Sequence, residues 1–93
     1  MSDNPDTAWY QDNVPAGPGG AMTDDVGVIT GDLTVHTELG DDGHSAHVTI
    51  QYTGAEEWYT LTGSPAPVSD GDLAAYHQDL LARIRRGGAV EAM

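Results

Sequence analysis

The chain has 93 residues, no cysteine and a formal net charge of −12 at neutral pH. A chain of this length is expected to form a single small domain, and the lack of cysteine excludes disulfides, thiolate metal sites and cysteine nucleophiles. The acidic excess argues against nucleic acid or an anionic membrane as a direct partner, because both carry charge of the same sign.

The composition also indicates where such a protein would work. No apolar run approaches the ~20 residues of a membrane helix. The N-terminus lacks the basic and hydrophobic pattern of a signal peptide, so we expect a cytoplasmic protein. Lysine is absent while glycine, alanine and aspartate are abundant, which is typical of a GC-rich bacterial genome.

Residues 1–23 are predicted to form a disordered acidic arm. Proline and glycine recur there without a helical or strand period, and acidic residues add to the polar bias. Trp9 and Tyr10 stand apart in this arm, because two adjacent aromatic side chains offer a large apolar area for anchoring. They either dock on the domain's own sheet, which we favour, or bind a partner.

A single α+β domain is predicted over residues 24–88, beginning with a weak edge strand over residues 24–30. Branched aliphatic residues supply this strand, although a glycine interrupts it. A tight turn after it would place Val28 opposite Val35 of the next strand.

The strongest element is a β-hairpin over residues 32–53. Both arms alternate apolar and polar residues, the pattern of a half-buried strand, around the turn sequence Gly-Asp-Asp-Gly. Two registers fit this pattern. Pairing of the two turn glycines places His36 opposite His47, whereas a two-residue turn at Asp42 and Gly43 shifts every pair by two residues and keeps the faces.

A further strand over residues 58–62 completes a meander with one aliphatic and one polar face. The period places Tyr59 opposite Tyr52 on the aliphatic side. The polar side is flat and rich in threonine, a surface suited to association with another sheet or with the protein's own N-terminal arm. Its residues predicted to bind a partner are Trp58, Thr49 and Thr60.

One helix follows an extended linker at residues 63–68. Ser69 is a good N-cap, and Gly87 with Gly88 ends the helix before a C-terminus, residues 89–93, that we expect to fray. Apolar residues recur at helical spacing and form one stripe that must cover the aliphatic face. The stripe consists of Leu73, Tyr76 or His77, Leu80, Leu81 and Ile84. The prediction is an α+β fold: a three- to four-stranded antiparallel β-meander with one C-terminal α-helix packed on one face.

His36 and His47, with Glu38, are the candidate metal ligands. Directly opposite strand residues have Cβ atoms about 4.5–5.5 Å apart, so in the first register two imidazoles could share Zn²⁺ or Ni²⁺. Glu38 lies on the same face and would supply an oxygen. Structural metal sites usually have three or four protein ligands, so an ordinary pair of surface histidines is the preferred interpretation.

No motif in the chain specifies a reaction. A nucleophile elbow, a phosphate loop and the spacing of an EF-hand are all missing. We therefore expect a non-enzymatic interaction or regulatory protein without a cofactor, which binds a protein partner, and a basic one where the acidic surface is used. The alternative is a small metal- or ligand-binding protein that uses the face with His36 and His47.

The basic residues suggest a second interaction surface. Residues 1–82 hold fourteen of the fifteen acidic groups and no lysine or arginine. The three basic residues follow together at the end of the predicted helix: Arg83, Arg85 and Arg86. In a two-fold homodimer, this end of one helix could meet an acidic turn of the second copy while the two polar faces touch.

Overall fold

The computed structural model describes residues 7–93, apart from the side chain of Asp70. This part of the chain contains seven strands and one α-helix, and a short 3-10 turn precedes the helix. In chain order they are β1 (Ala8–Pro15), β2 (Ala21–Thr23), β3 (Gly27–Ile29), β4 (Asp32–Leu39), β5 (Ser45–Tyr52), β6 (Tyr59–Thr60), β7 (Ala66–Pro67) and α1 (Leu73–Arg86).

The main sheet is antiparallel and has the spatial order β1-β4-β5-β6. The short strand β7 pairs with the beginning of β5, while β6 pairs further along the same strand. Strands β2 and β3 form a separate two-stranded hairpin. The predicted α+β fold is confirmed, with more strands than the sequence predicted.

Strand β1 stands where the sequence predicted a disordered arm. It pairs antiparallel with β4, so Trp9 and Tyr10 lie on the domain's own sheet, the favoured of the two interpretations. The pairing is interrupted by an irregularity between Gln11 and Val14. Such a bulge breaks the period of 2, which is why the alternation did not reveal the strand. Residues 1–6 of the predicted arm lie outside the described residues.

Strand β3 is not the edge strand that the sequence predicted over residues 24–30. Val28 lies opposite Met22 of β2, so its predicted place opposite Val35 is wrong. Strand β2 lies just before the turn that leads into β3, so it is a nearer partner along the chain than β4. The edge of β4 is already occupied by β1.

The central hairpin is confirmed in the second of its two registers. The amide of Gly40 donates to the carbonyl of Ser45 at 2.7 Å, and the pairs are shifted by two residues with the faces kept. Asp42 favours this register, because its carboxylate accepts from the amides of His44 and Ser45 at 2.8 and 3.1 Å. These hydrogen bonds lower the pKa of Asp42.

Strand β6 is also displaced by two residues from its predicted register. Tyr59 lies opposite Ile50, so the predicted pairing of Tyr59 with Tyr52 is wrong. The two tyrosine rings nevertheless meet edge to face, with their centroids 6.5 Å apart. The faces of the meander are unchanged, because a shift by two residues preserves the alternation.

Helix α1 covers the aliphatic face of the sheet, as predicted. Its N-cap is Asp72 rather than Ser69, and the Asp72 carboxylate accepts from the amide of Ala75 at 3.1 Å. The helix ends at Arg86, before Gly87 with a φ of 83°. Within the described chain, no helix has the length and hydrophobicity to cross a bilayer. The buried residues of α1 are Leu73, His77, Leu80, Leu81 and Ile84.

The end of the chain packs where the sequence predicted fraying over residues 89–93. Val90 and Ala92 are buried. Ala92 donates through its amide to the carbonyl of Thr62 at 2.8 Å, and its carbonyl accepts from the hydroxyl of Tyr76 at 2.6 Å. Alternate small apolar residues thus extend the core beyond the helix.

Candidate protein-binding surface

One face of the main sheet carries no helix, and its centre is a row of aromatic, histidine and threonine side chains. Successive strands place Tyr10 opposite His36, His36 opposite Thr49, and Thr49 opposite Thr60. Trp58 lies two residues before Thr60 and packs edge-on against His36, with ring centroids 6.3 Å apart. We call these five residues the open face.

Two aromatic side chains give the open face its apolar character. Tyr10 is 56% exposed and Trp58 is 43% exposed, and both lie beside His36. Exposed aromatic rings that flank one histidine on a single face are typical of an interaction surface. Scattered single apolar residues would need no such explanation.

Buried polar residues support one end of the open face. Thr34 is fully buried, and its hydroxyl donates to the carboxylate of Asp12 at 2.8 Å and lies 3.0 Å from the hydroxyl of Thr53. Gln51 donates through its side-chain amide to the carbonyl of Ala55 at 3.0 Å. These bonds tie the bulge of β1 and the turn after β5 to the sheet. Alternation alone did not reveal them, because it assigns both residues to a solvated face.

Carboxylates surround the open face. The hydroxyl of Tyr10 donates to Asp12 at 3.0 Å, and this hydrogen bond raises the pKa of the Tyr10 phenol. Glu38 lies two residues from His36 in β4 and therefore points to the same side of the sheet. At the far margin, the carboxylate of Asp25 accepts from the amide of Thr60 at 2.8 Å. The surface is thus aromatic at its centre and acidic at its margin.

The predicted metal ligands do not come together as proposed. His36 lies opposite Thr49, and Glu38 lies opposite His47, so the direct pairing of the two histidines is wrong. Residues 7–93 contain no group of three or more histidine, aspartate or glutamate side chains arranged to hold a metal ion. In the second register His36 and His47 are diagonal rather than direct neighbours, because the turn that selects it slides the strands by two residues.

Trp9 lies on the opposite side of the sheet from Tyr10. Its ring stacks on His77 of α1 with centroids 5.9 Å apart, so it anchors β1 to the helix. Nδ1 of His77 lies 2.9 Å from the hydroxyl of Thr37. Burial, with a smaller contribution from the charge of His36, lowers the pKa of His77 to about 4. Trp9 therefore belongs to the packing between the sheet and the helix.

The three arginines lie at the end of the helix that covers the other face. Arg83 forms an ion pair with Asp79 at 3.0 Å and donates to the carbonyl of Glu91 at 2.9 Å. Arg85 and Arg86 are exposed. An ion pair one turn apart on an exposed helix contributes little, roughly 0.3–0.5 kcal/mol.

Of the residues predicted to bind a partner, the structure brings four together on the open face: Trp58, Thr49, Thr60 and Tyr10. His36, which the sequence suggested as a metal ligand, becomes the centre of this surface. The adjacent aromatic residues Trp9 and Tyr10, in the segment predicted to be disordered, were the sequence feature that could have indicated a strand beside His36. Comparisons with protein-family models, curated proteins and solved structures find no match. Function is therefore inferred from the open face itself.

Proposed function

We propose that the chain is a non-enzymatic interaction protein that binds a basic protein partner through the open face. The observation that carries this proposal is the pair of exposed aromatic rings, Tyr10 and Trp58, beside His36 on a face that α1 leaves uncovered. Aromatic side chains supply large contact areas at low entropic cost and dominate the energetics of many interfaces.

Charge determines the chemistry expected of the partner. The net charge of −12 attracts a basic protein, and the resulting steering raises association rates. Asp12 and Glu38 concentrate negative charge beside the aromatic rings. An arginine or lysine of the partner would lie over a ring and near a carboxylate, where cation–π and ionic attraction act together.

The support for a non-enzymatic role is the position of His77, whose pKa is strongly lowered. His77 is 1% exposed beneath Trp9, so a substrate on the open face would not reach it. The open face is built from strand residues, and a hollow of about 380 Å³ lined by Ala8, Trp9, Tyr10 and His36 adjoins it. Its exposed aromatic rings suit contact with a macromolecule.

The experiment is affinity capture from the source cells, followed by reconstitution with the purified partner. Three forms of the chain are used: wild type, Trp58→Ser and Tyr52→Ser. Tyr52 is a matched control, because it is 42% exposed but belongs to the aliphatic side of the sheet, opposite Leu33. We expect wild type and Tyr52→Ser to retain one basic protein stoichiometrically, and Trp58→Ser to lose it.

Salt and sedimentation complete the test. Raising the salt from about 0.15 M to about 0.5 M should weaken the complex, because screening shortens the reach of the acidic field. Sedimentation of the chain alone examines the homodimer, which the like charges of two copies oppose. An acidic partner, no partner, or equal capture by Trp58→Ser would contradict the proposal. A dimer that requires Trp58 would assign the open face to a second copy instead.

A further inference from the structure

The outer edge of β1 presents unpaired backbone groups beside the open face. The amide of Leu39 donates to the carbonyl of Thr7 at 2.8 Å, which identifies a hydrogen-bonded pair of the antiparallel ladder. Such pairs alternate, so Trp9 bonds to β4 while Ala8 and Tyr10 direct their N–H and C=O groups away from it. No described residue bonds to these outward groups of Ala8 and Tyr10.

The available edge is short and well defined. It runs from Ala8 to Gln11, after which the bulge and then Pro15 end regular pairing. Bulges and prolines commonly protect edge strands from uncontrolled pairing. Among the described residues, the segment whose outward groups have no partner is the one that carries Tyr10, so the unpaired backbone and the exposed ring belong to the same residue.

Side chains and charge at this edge indicate what would pair with it. A strand added beside β1 would have side chains about 4.5–5.5 Å from Tyr10 on the same side of the sheet. The hydroxyl of Tyr10 donates to the carboxylate of Asp12, and Glu38 lies on the same side in the next strand. A cationic side chain placed there would meet both a ring and carboxylates.

We propose that the basic partner binds by adding an extended segment to the edge of β1, with arginine or lysine at alternate positions facing the open face. This inference rests on the proposed function and specifies its binding mode. Main-chain hydrogen bonds to Ala8 and Tyr10 supply affinity, and the alternate basic side chains supply specificity for the ring of Tyr10 and its neighbouring carboxylates.

The test uses a defined probe, the peptide acetyl-Arg-Val-Arg-Val-Arg-Val-amide, and the same peptide with every backbone amide N-methylated. Both carry the same charge, but the methylated peptide cannot donate to β1. The unmodified peptide should bind the wild-type chain and shift the amide NMR signals of Ala8 and Tyr10. N-methylation should weaken binding about tenfold or more, because at least two hydrogen bonds are lost.

A protein variant tests the same edge from the other side. Ala8→Pro removes one outward amide, leaves the hydrogen bonds of Trp9 to β4 in place and changes no side chain of the open face. It should weaken binding of the unmodified peptide about fivefold, whereas the control Ala8→Val should bind within about twofold of wild type. The methylated peptide tests the wild-type chain and so does not depend on how the proline variant folds.

The outcomes separate this inference from the proposed function. Equal binding of both peptides, or loss of binding in Trp58→Ser but not in Ala8→Pro, would overturn strand addition and leave the open face as the site. Failure of the unmodified peptide to bind at millimolar concentration would also overturn strand addition. The proposed function fails separately, when no basic partner depends on Trp58.

Discussion

The two edges of the main sheet differ in whether their outward backbone groups are hydrogen-bonded to described residues. At the β6 edge, the outward groups of Thr60 are both used: its amide donates to Asp25 at 2.8 Å and its carbonyl accepts from the amide of Asp24 at 3.0 Å. At the β1 edge, the outward groups of Ala8 and Tyr10 meet no described residue. An unpaired edge is a template for another strand, so a chain that closes one edge and leaves the other is suited to strand addition at the open one.

The closed edge also gives its acidic pair a structural role. Asp24 and Asp25 lie in the turn between β2 and β3, where solvation would explain them from sequence alone. In the structure, Asp24 additionally accepts from the hydroxyl of Thr62 at 2.9 Å. Some of the negative charge therefore holds a hairpin against the sheet edge, and acidity is not only a matter of solubility.

Removing core volume beneath the sheet has the largest expected effect, because α1 is the common support of the sheet. Ile84 is fully buried and packs in the main core. Ile84→Ala should lower the free energy of unfolding by about 2–5 kcal/mol through lost burial and a residual cavity. Urea unfolding measures this loss. The exposed Gln78→Ala on the same helix should change stability by less than about 0.5 kcal/mol, and equal effects would show that the helix face is misassigned.

Acid should lower the stability of the fold through His77, which packs beneath Trp9 between α1 and the sheet. Its pKa of about 4 lies below the ordinary value, so the folded state favours neutral imidazole and the unfolded state binds the proton first. The stabilisation that the neutral His77 imidazole gives to the folded state is fully present above about pH 6.5 and is lost as the pH falls towards 4. Between about pH 7.5 and 4.5, the free energy of unfolding of the wild type should fall by roughly 2–3 kcal/mol more than that of His77→Gln.

Urea unfolding at the two pH values measures this difference. Trp9 and Thr37 contact the His77 ring without bearing charge, and His36 is the titratable group that acts on it. The exposed His44→Gln serves as the control and should keep the wild-type pH dependence. An unchanged dependence in His77→Gln would show that His77 does not carry the effect.

Removing one carboxylate should free one backbone amide at the β6 edge. Asp25→Ala deletes the acceptor of the Thr60 amide and should lower the free energy of unfolding by about 1 kcal/mol, with faster exchange of that amide. Asp41→Ala corrects for the relief of charge repulsion, because Asp41 is an exposed acid in the hairpin turn. If both variants behave alike, Asp25 does not close the edge.

The sequence revealed the parts of the fold that periodicity controls. The alternation over residues 32–53 and the stripe ending at Ile84 predicted the hairpin, its faces and the covering helix. The register was left open, because a shift by two residues keeps every face, and the carboxylate of Asp42 decides it through three-dimensional hydrogen bonds. The direct pairing of His36 with His47, on which the candidate metal site was built, belonged to the other register and is not formed.

The sequence concealed the parts that tertiary contacts create. Strand β1 contains a bulge and ends in Pro15, so its local pattern is typical of an arm, and it becomes a strand because β4 offers an edge and His77 receives the Trp9 ring. The open face could be predicted only in part. Trp58 and the threonines follow from alternation in the meander, whereas Tyr10 joins them through β1.

Amide hydrogen exchange of the free chain tests the contrast between the edges most directly. Ala8 and Tyr10 should exchange within about tenfold of unstructured rates, because no described residue accepts from their amides, whereas Trp9 and Thr60 should be slower by about a hundredfold or more. NMR resolves the four amides in one experiment and at low protein concentration, where self-association is minimal. Protection of Ala8 and Tyr10 equal to that of Trp9 would contradict the account, since the β1 edge would then already be occupied.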